Sequence, residues 1–391
     1  MSREIRIGLI GFGWMGQAHS RSYRNIPVYF PEADIRPRLV VVADTLPERV
    51  ELALTNFGYE RGTGVWREVI ESDDIDVVDI TAPNAMHEEL VEAAAAAGKD
   101  IFCEKPVGIG PEATAAIEKA ARRSGAITGC GFNYRWAPMV QYTKRLIEDG
   151  RFGELTHYRG RFFSMYGRER LGLLSWRFLQ DKAGYGTLTD LMSHVIDMAL
   201  HLSGPIARVV ATKNIFVKER PLPTPGKGTH YSLGSSGDPT GAVTNEDYVG
   251  ALVEFVNGVR GTLETDRSIF GPQSSMAFEV NGSRGAAGWN HEKLNELQLY
   301  LPEEQPNDGF IAVLAGDAFP HQGNIVPGGG NSIGYEDMKL IESLEYLRAV
   351  VERRPFYPGF GDALAVASVM DAMVRSWSSE SWEDVVSLRR D

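Results

Sequence analysis

Within FCEKPVG, residues 102–108, Glu104 and Lys105 set opposite charges side by side between an apolar run and Pro106. A lysine at the end of a buried strand can donate to a substrate oxygen and stabilise a developing alkoxide, and the proline fixes the backbone that aims it. On composition alone, the same pair also reads as a surface ion pair. A second reactive set is Asp190, His194, Asp197 and His201, at offsets of 4, 3 and 4. On a helix this spacing puts all four on one face, the first two within one turn. Asp190 can then orient His194 or raise its basicity, leaving a general acid/base poised near neutral pH. A satisfied structural histidine fits the pattern as well. A metal site fits it poorly, because no HExxH-type context and no third ligand segment accompanies the four.

Such groups need elements to position them. IRIGLI, RLVVVA, VVDITA, IFCE and ITGCGF are short, mostly β-branched runs separated by helical stretches such as HEELVEAAAAAG. That rhythm builds βαβ units and a parallel sheet, whose strand ends point at a ligand crevice. Glu104, Lys105 and Pro106 fall at such an end. The first strand runs directly into Gly11-Phe12-Gly13-Trp14-Met15-Gly16 and then a helix. There the first glycine permits a tight turn, the second lets backbone approach a pyrophosphate, and the third allows close helix-to-strand packing. Asp44 closes the second strand, where a carboxylate accepts hydrogen bonds from the adenosine ribose and repels a 2′-phosphate. NAD is therefore the expected cofactor; NADP is disfavoured, with Arg49 nearby leaving it open. A solvated turn aspartate is the alternative. The spacing from Gly16 exceeds the usual ~20 residues, and YRNIPVYFPEADIRPR reads as an insertion between helix and strand.

After Phe132 the rhythm changes. YVGALVEFVNGVRGTLETD reads as a hairpin turning at Asn257-Gly258, and AFEVNGSRGAAGW repeats the device at Asn281-Gly282. TDLMSHVIDMALHLSG is a helix with Thr189 or Asp190 near its N-cap and Gly204 closing it. Residues 219–245, rich in Pro, Gly, Ser and Thr, read as a long surface excursion. GYEDMKLIESLEYLRAVVERRP and DALAVASVMDAMVRSWSS give two final helices. The expected architecture is an α/β dinucleotide-binding domain over residues 1–131 and an α+β domain over 132–391.

The chain has 391 residues, enough for two or three cores, with 43% apolar and 24% charged residues and a formal net charge of −12. This balance argues against nucleic acid or an anionic membrane surface as partner and for a small molecule. Two cysteines, Cys103 and Cys130, without framework spacing suit a reducing compartment, and the cytoplasm is expected. MSREIRIGLIGFGWMG begins like a leader, but its glycines interrupt the apolar run and it reads as a strand. No segment approaches the roughly 20 apolar residues of a membrane span.

Four motifs in order, GLIGFGWMGQAHS, DITAPNAMHEELVEAAAAAGKDIFCEKPVG, GFNYRWAP and GTLTDLMSHVIDMALHL, resemble those of the Gfo/Idh/MocA oxidoreductases, the glucose–fructose oxidoreductase and inositol dehydrogenase group. The resemblance covers nearly the whole chain. It implies a Rossmann domain followed by a large, open, mainly antiparallel sheet, and a catalytic trio of Lys105, Asp190 and His194. It also implies that Glu104 helps hold the nicotinamide ribose, that a cis peptide bond precedes Pro106, and that Thr81, Pro83, Asn84 and His87 lie along the cofactor. Asn133, Tyr134 and Arg135 match the segment near nicotinamide and substrate. Met192 stands where many members have glycine. LLSWRFLQDKAGYGTLTDLMSHVIDM and VYFPEADIRP look most like members oxidising cyclic sugars, of the levoglucosan dehydrogenase type, with Trp176 and Arg177 as a stacking face and a hydroxyl-binding fork. Trp176 as core and Arg177 as a solvent ion pair is the other reading of those two residues.

The implied activity is NAD-dependent oxidation of a secondary hydroxyl on a pyranose, anhydrosugar or inositol, with hydride going to the nicotinamide C4 and no metal required. The rivals are an NAD-retaining enzyme that cleaves glycosides or exchanges sugar oxidation states by an internal redox cycle, and a non-enzymatic dinucleotide sensor. A homodimer or homotetramer is the implied assembly.

Overall fold

In the computed structural model, which describes residues 3–223, 231–304 and 308–387, the first third of the chain forms a six-stranded parallel sheet. Its strands are β1 (Arg3–Ile10), β2 (Ile35–Ala43), β3 (Arg61–Thr63), β4 (Val77–Ile80), β5 (Asp100–Cys103) and β6 (Thr128–Cys130), in the order β3-β2-β1-β4-β5-β6. Every residue of β4 and β5 is buried, Asp79 and Asp100 included, as expected of central strands in a sheet that helices cover on both faces. The order reverses between β1 and β4, which opens the crevice at their C-terminal ends. The expected insertion before β2 is mostly regular structure: the helix Trp14–Tyr29 continues through Pro27, and only residues 30–34 lie between it and β2. Tyr23, Ile26 and Phe30 are buried there, and this burial outweighs the hydrogen bond that the proline removes.

The rest of the chain adds β7 (Leu155–Ser164), β8 (Ile206–Asn214), β9 (Glu219–Pro221), β10 (Thr240–Ala242), β11 (Tyr248–Phe255), β12 (Arg260–Asp266), β13 (Ser274–Gly282), β14 (Ala286–Asn290), β15 (Glu296–Tyr300), β16 (Ile311–Leu314) and β17 (Glu383–Asp384). Nine of these form one sheet, β16-β15-β14-β13-β7-β12-β11-β8-β17, in which only β7 and β12 pair in parallel. The hairpin at Asn257-Gly258 forms as its sequence predicts, with Gly258 at φ +92°. The second turn falls later than expected, because Asn281 pairs with Ala286 and both Asn281 and Gly282 belong to β13. The backbone N–H groups of Ser283 and Arg284 are taken by the carbonyls of Glu154 and Phe152, which holds the turn at Ser283-Arg284.

Two further expectations are corrected. The site helix starts before Asp190, as a π-helical turn Leu188–Met192 running into Ser193–Ser203, with Gly204 ending it at φ +91°. Its N-terminus is capped from far away, since the Glu246 side chain accepts from Leu188 N at 2.9 Å and the Glu246 carbonyl from Thr187 N at 3.1 Å. Residues 219–245 are not simply a surface excursion: β9 and β10 pair with each other and Arg220 is wholly buried. Residues 224–230 of that stretch lie outside the described residues.

Both final helices form, as Tyr335–Glu352 and Phe360–Ser379. The first returns to the parallel sheet, burying Leu340, Ile341, Leu344 and Leu347 with Ile5, Ile7, Leu9 and Phe102. Among the described residues no helix is long and apolar enough to cross a membrane.

Candidate active site

The glycine loop has the shape its spacing requires. Gly11 lies at φ +94°, and a Cβ on it would meet Ala82 N at 2.7 Å; one on Gly16 would meet the Gly11 carbonyl at 2.3 Å. A Cβ on Gly13 would meet nothing within 4 Å, and no side chain caps the helix that starts after it. Backbone N–H groups there are open to a pyrophosphate. Thr81 Oγ1 donates to the Gly11 carbonyl at 2.5 Å, and Asp44 accepts from Phe12 N at 2.7 Å and Leu46 N at 2.9 Å, so both shape the loop. Phe12 faces inward, edge-on to Phe57 and Tyr59, whereas Trp14 is exposed and stacks on Tyr335. Met15 is half-buried beside it, and Pro83 precedes the short turn that carries Asn84. His87, expected along the cofactor, is buried, with its ring nitrogens 2.9 Å from the carbonyls of Pro106 and Ala82. It fastens two loops together, and burial lowers its pKa. Asn133 is buried with its Nδ2 lacking any partner among the described residues. An open helix N-terminus and an unanswered buried donor fit a dinucleotide lying between them.

Lys105 follows β5, and the Lys105–Pro106 bond is cis. Its Nζ donates to the Asp190 carbonyl at 2.9 Å and to Asp190 Oδ1 at 3.0 Å. Tyr166 OH donates to Asp190 Oδ2 at 2.9 Å, and Arg177 approaches the same oxygen at 3.5 Å. Burial works against the charge on Asp190, but Lys105 and Arg177 outweigh it and hold its carboxyl well below the usual range. No hydrogen bond joins Asp190 to His194 among the described residues, so the expected orienting pair is replaced by an Asp190–Lys105 pair. The His194 ring packs against Phe132, Tyr134 and Phe162. Burial first and Lys105 second drive its pKa well below 6.5, the reverse of the raised basicity expected of a paired histidine.

Beneath Lys105 lies a buried row of charges that sequence reasoning missed. Glu104 Oε1 meets both His19 Nε2, at 3.0 Å, and Lys339 Nζ, while Oε2 accepts from Lys105 N at 3.1 Å. His19 Nδ1 reaches Asp79 at 2.9 Å, and Lys339 also donates to Glu342 at 2.8 Å. Burial opposes the charge on His19, but Asp79 and Glu104 raise its pKa to about 9; burial pushes Glu342 up to about 7. For Glu104 burial again opposes the charge, and Lys339 and His19 prevail, holding the carboxyl well below its usual range.

The remaining residues divide between cleft and frame. Asn84, Tyr166, Trp176, Arg177, Thr189 and Asp190 line one cleft, with Trp176 41% exposed and the Arg177 guanidinium 4.7 Å from its ring centre. Tyr134 is buried between His194 and His291. Arg135, expected near substrate, is instead bound by Asp197 at 2.6 and 2.9 Å and by Asp362 at 3.1 Å. That pairing also takes Asp197 out of the four-residue face, and His201 Nε2 is buried without a partner among the described residues. The GQAHS motif contained His19 but gave no sign of its role, and Tyr166 had no flanking signal.

Both halves of a redox reaction are thus provided for, a crevice shaped for a dinucleotide and, beside its mouth, groups able to move a proton to or from an alcohol. The fold and site define a nicotinamide-dependent oxidoreductase. Residues 5–132 match the oxidoreductase family with an NAD-binding Rossmann fold, and residues 140–288 match the GFO/IDH/MocA C-terminal domain. The chain belongs to the Gfo/Idh/MocA oxidoreductase family, and its cofactor is NAD. It is similar to levoglucosan dehydrogenase of Pseudarthrobacter phenanthrenivorans, 36% identical over 98% of both chains, and to inositol 2-dehydrogenase of Rhizobium meliloti, 26% identical over 95% of this chain and 96% of the relative. Among solved structures, levoglucosan dehydrogenase in complex with NADH and levoglucosan superposes with a TM-score of 0.91 at 36% identity, covering 98% of this chain and 100% of that one.

Proposed function

We propose that this protein oxidises a secondary hydroxyl of a cyclic sugar to the ketone, with an anhydropyranose as the first substrate class and an inositol as the second. The observation that carries the reading is the Lys105–Asp190 pair beside a buried His194, placed where β5 opens into the crevice. Bound NAD supplies the hydride acceptor. His194 is held neutral by its surroundings and takes the hydroxyl proton. Lys105 stabilises the alkoxide as it forms, and Asp190 aims Lys105 with two contacts. Trp176 offers an exposed face to the sugar ring and Arg177 donors to its hydroxyls. Similarity to levoglucosan dehydrogenase along nearly the full chain supports the anhydrosugar.

Initial rates of NADH formation across anhydrosugars, pyranoses and inositols test this. Accumulation with one class upholds the reading. No accumulation, together with NAD released on denaturation, replaces it with an internal redox cycle. The same reading makes the enzyme a cytoplasmic homodimer or homotetramer built on the nine-stranded sheet, with no nucleic-acid or membrane partner, in keeping with its net charge of −12. Light scattering that found a monomer at micromolar concentration would remove the assembly.

A further inference from the structure

Arg220 is among the most deeply buried side chains, yet it has no carboxylate partner among the described residues. Its Nη1 donates to the Glu169 carbonyl at 2.8 Å and its Nη2 to the Gly167 carbonyl at 2.5 Å. Its guanidinium carbon lies 4.0 Å from the centre of the Phe178 ring, and Arg267 approaches the same ring at 4.6 Å. Two buried cations therefore grip one aromatic ring, and the chain around that ring is the wall of the cleft.

The grip continues through the backbone. Leu174 N donates to the Pro221 carbonyl at 2.8 Å, Leu173 N to the Ser232 carbonyl at 3.0 Å, and Gly234 N to the Leu171 carbonyl at 2.8 Å. Thr244 N donates to the Phe178 carbonyl at 3.0 Å. Asn245 Nδ2 and Arg267 Nη1 each donate to the Arg177 carbonyl at 3.1 Å. Tyr166 packs on Phe178, and both Tyr166 and Arg177 reach Asp190. These contacts hold the segment 171–178 on both sides of Trp176 and Arg177, two residues that line the cleft.

We propose that residues 219–223 and 231–247 act as a specificity brace, in which Arg220 and Asn245 are positioning residues that set Tyr166, Trp176 and Arg177 against the sugar. Buried charge is a poor device for stability alone, since an apolar side chain of similar volume commonly does as well or better. It is a good device for fixing direction, because planar donors lock the carbonyls they meet. Among the described residues no hydrogen bond, ion pair or ring contact joins the brace to the glycine loop, so it acts on sugar recognition and leaves dinucleotide binding alone. The inference rests on the reading that this cleft takes a sugar.

The test is to compare Arg220→Met, Arg220→Lys and Asn245→Ala with wild type for kcat and KM on the preferred sugar and on one epimer, alongside NADH affinity by fluorescence. The expected result is a KM raised by about ten-fold or more, with epimer discrimination falling by a similar factor and kcat changing less. NADH affinity stays within about two-fold of wild type, and Arg220→Lys recovers part of the loss. Folded variants with unchanged KM and epimer ratio overturn the proposal, as does NADH affinity lost in step with sugar affinity. Should Arg220→Met not fold, Asn245→Ala carries the same readouts. If the wild-type chain turns over no sugar, the function proposed above fails separately, and hydrogen exchange decides the brace. Leu173, Leu174 and Thr244 amides exchanging faster in Arg220→Lys than in wild type uphold it, and equal protection overturns it.

Discussion

At the scale of residues, Lys105 carries the sharpest prediction: Lys105→Gln should lower kcat by about a hundred-fold or more at saturating sugar, because it removes the cation facing the alkoxide. Turnover within a few-fold of wild type would remove Lys105 from the mechanism. The same variant has a signature in pH. Burial and then Lys105 disfavour the imidazolium of His194, so the rise of kcat/KM with pH should have its midpoint below 6.5 in wild type and move to higher pH in Lys105→Gln. The buried charges beneath predict a stability profile. His19 has its folded pKa raised from 6.5 to about 9, so its proton stabilises the fold fully below 6.5 and that contribution is lost as pH rises through 9. Glu342, raised from 4.5 to about 7, acts with the same sign in a lower window. Denaturation midpoints should therefore fall as pH rises from about 5 to about 9, and Glu342→Gln should flatten the lower part of that fall. The trio was legible as residue types in a recurring order, but its pairing was not. Asp190 stands four residues from His194 yet bonds to Lys105, 85 residues away. Lys339 reads in sequence as the polar stripe of an amphipathic helix, and its partner Glu104 is 235 residues distant.

At the scale of elements, the glycine loop shows how little space separates the first strand from the first helix. Gly16→Ala would press its Cβ against the Gly11 carbonyl, where neither backbone can yield cheaply. NADH affinity should fall by about ten-fold or more, measured by fluorescence titration, with the nine-stranded sheet intact by circular dichroism. An affinity unchanged within error would mean that the loop relaxes without cost. Periodicity made most elements legible because burial enforces it: β4 and β5 are buried throughout, and β11 pairs with β12 across the glycine turn that its sequence marks. Boundaries failed where a distant residue set them. The backbone of Glu154 and Phe152 places the second hairpin turn, and Glu246 starts the site helix. Neither partner is near in sequence, and no local propensity reports it. The short strand β3, only three residues long, was missed because it is too brief for alternation to show.

At the scale of the whole molecule, the helix Tyr335–Glu352 ties the end of the chain into the core of its beginning. Leu344→Ala should cost about 3 kcal/mol of stability, and both sheets should still unfold in one transition by calorimetry. Two separate transitions, with only the first sheet affected, would mean that the halves are independent. The two-part architecture was legible from the change of rhythm after Phe132, but this return was not, since an amphipathic helix names the face it buries and not the surface that receives it. The two family matches, at 5–132 and 140–288, stop short of that helix. A cassette cut at those limits and moved to another scaffold would leave behind the tail whose Ile341 and Leu347 share one buried cluster with Ile7 and Leu9. Transplanting the parallel sheet with this part of its core means carrying 335–352 along with 3–132.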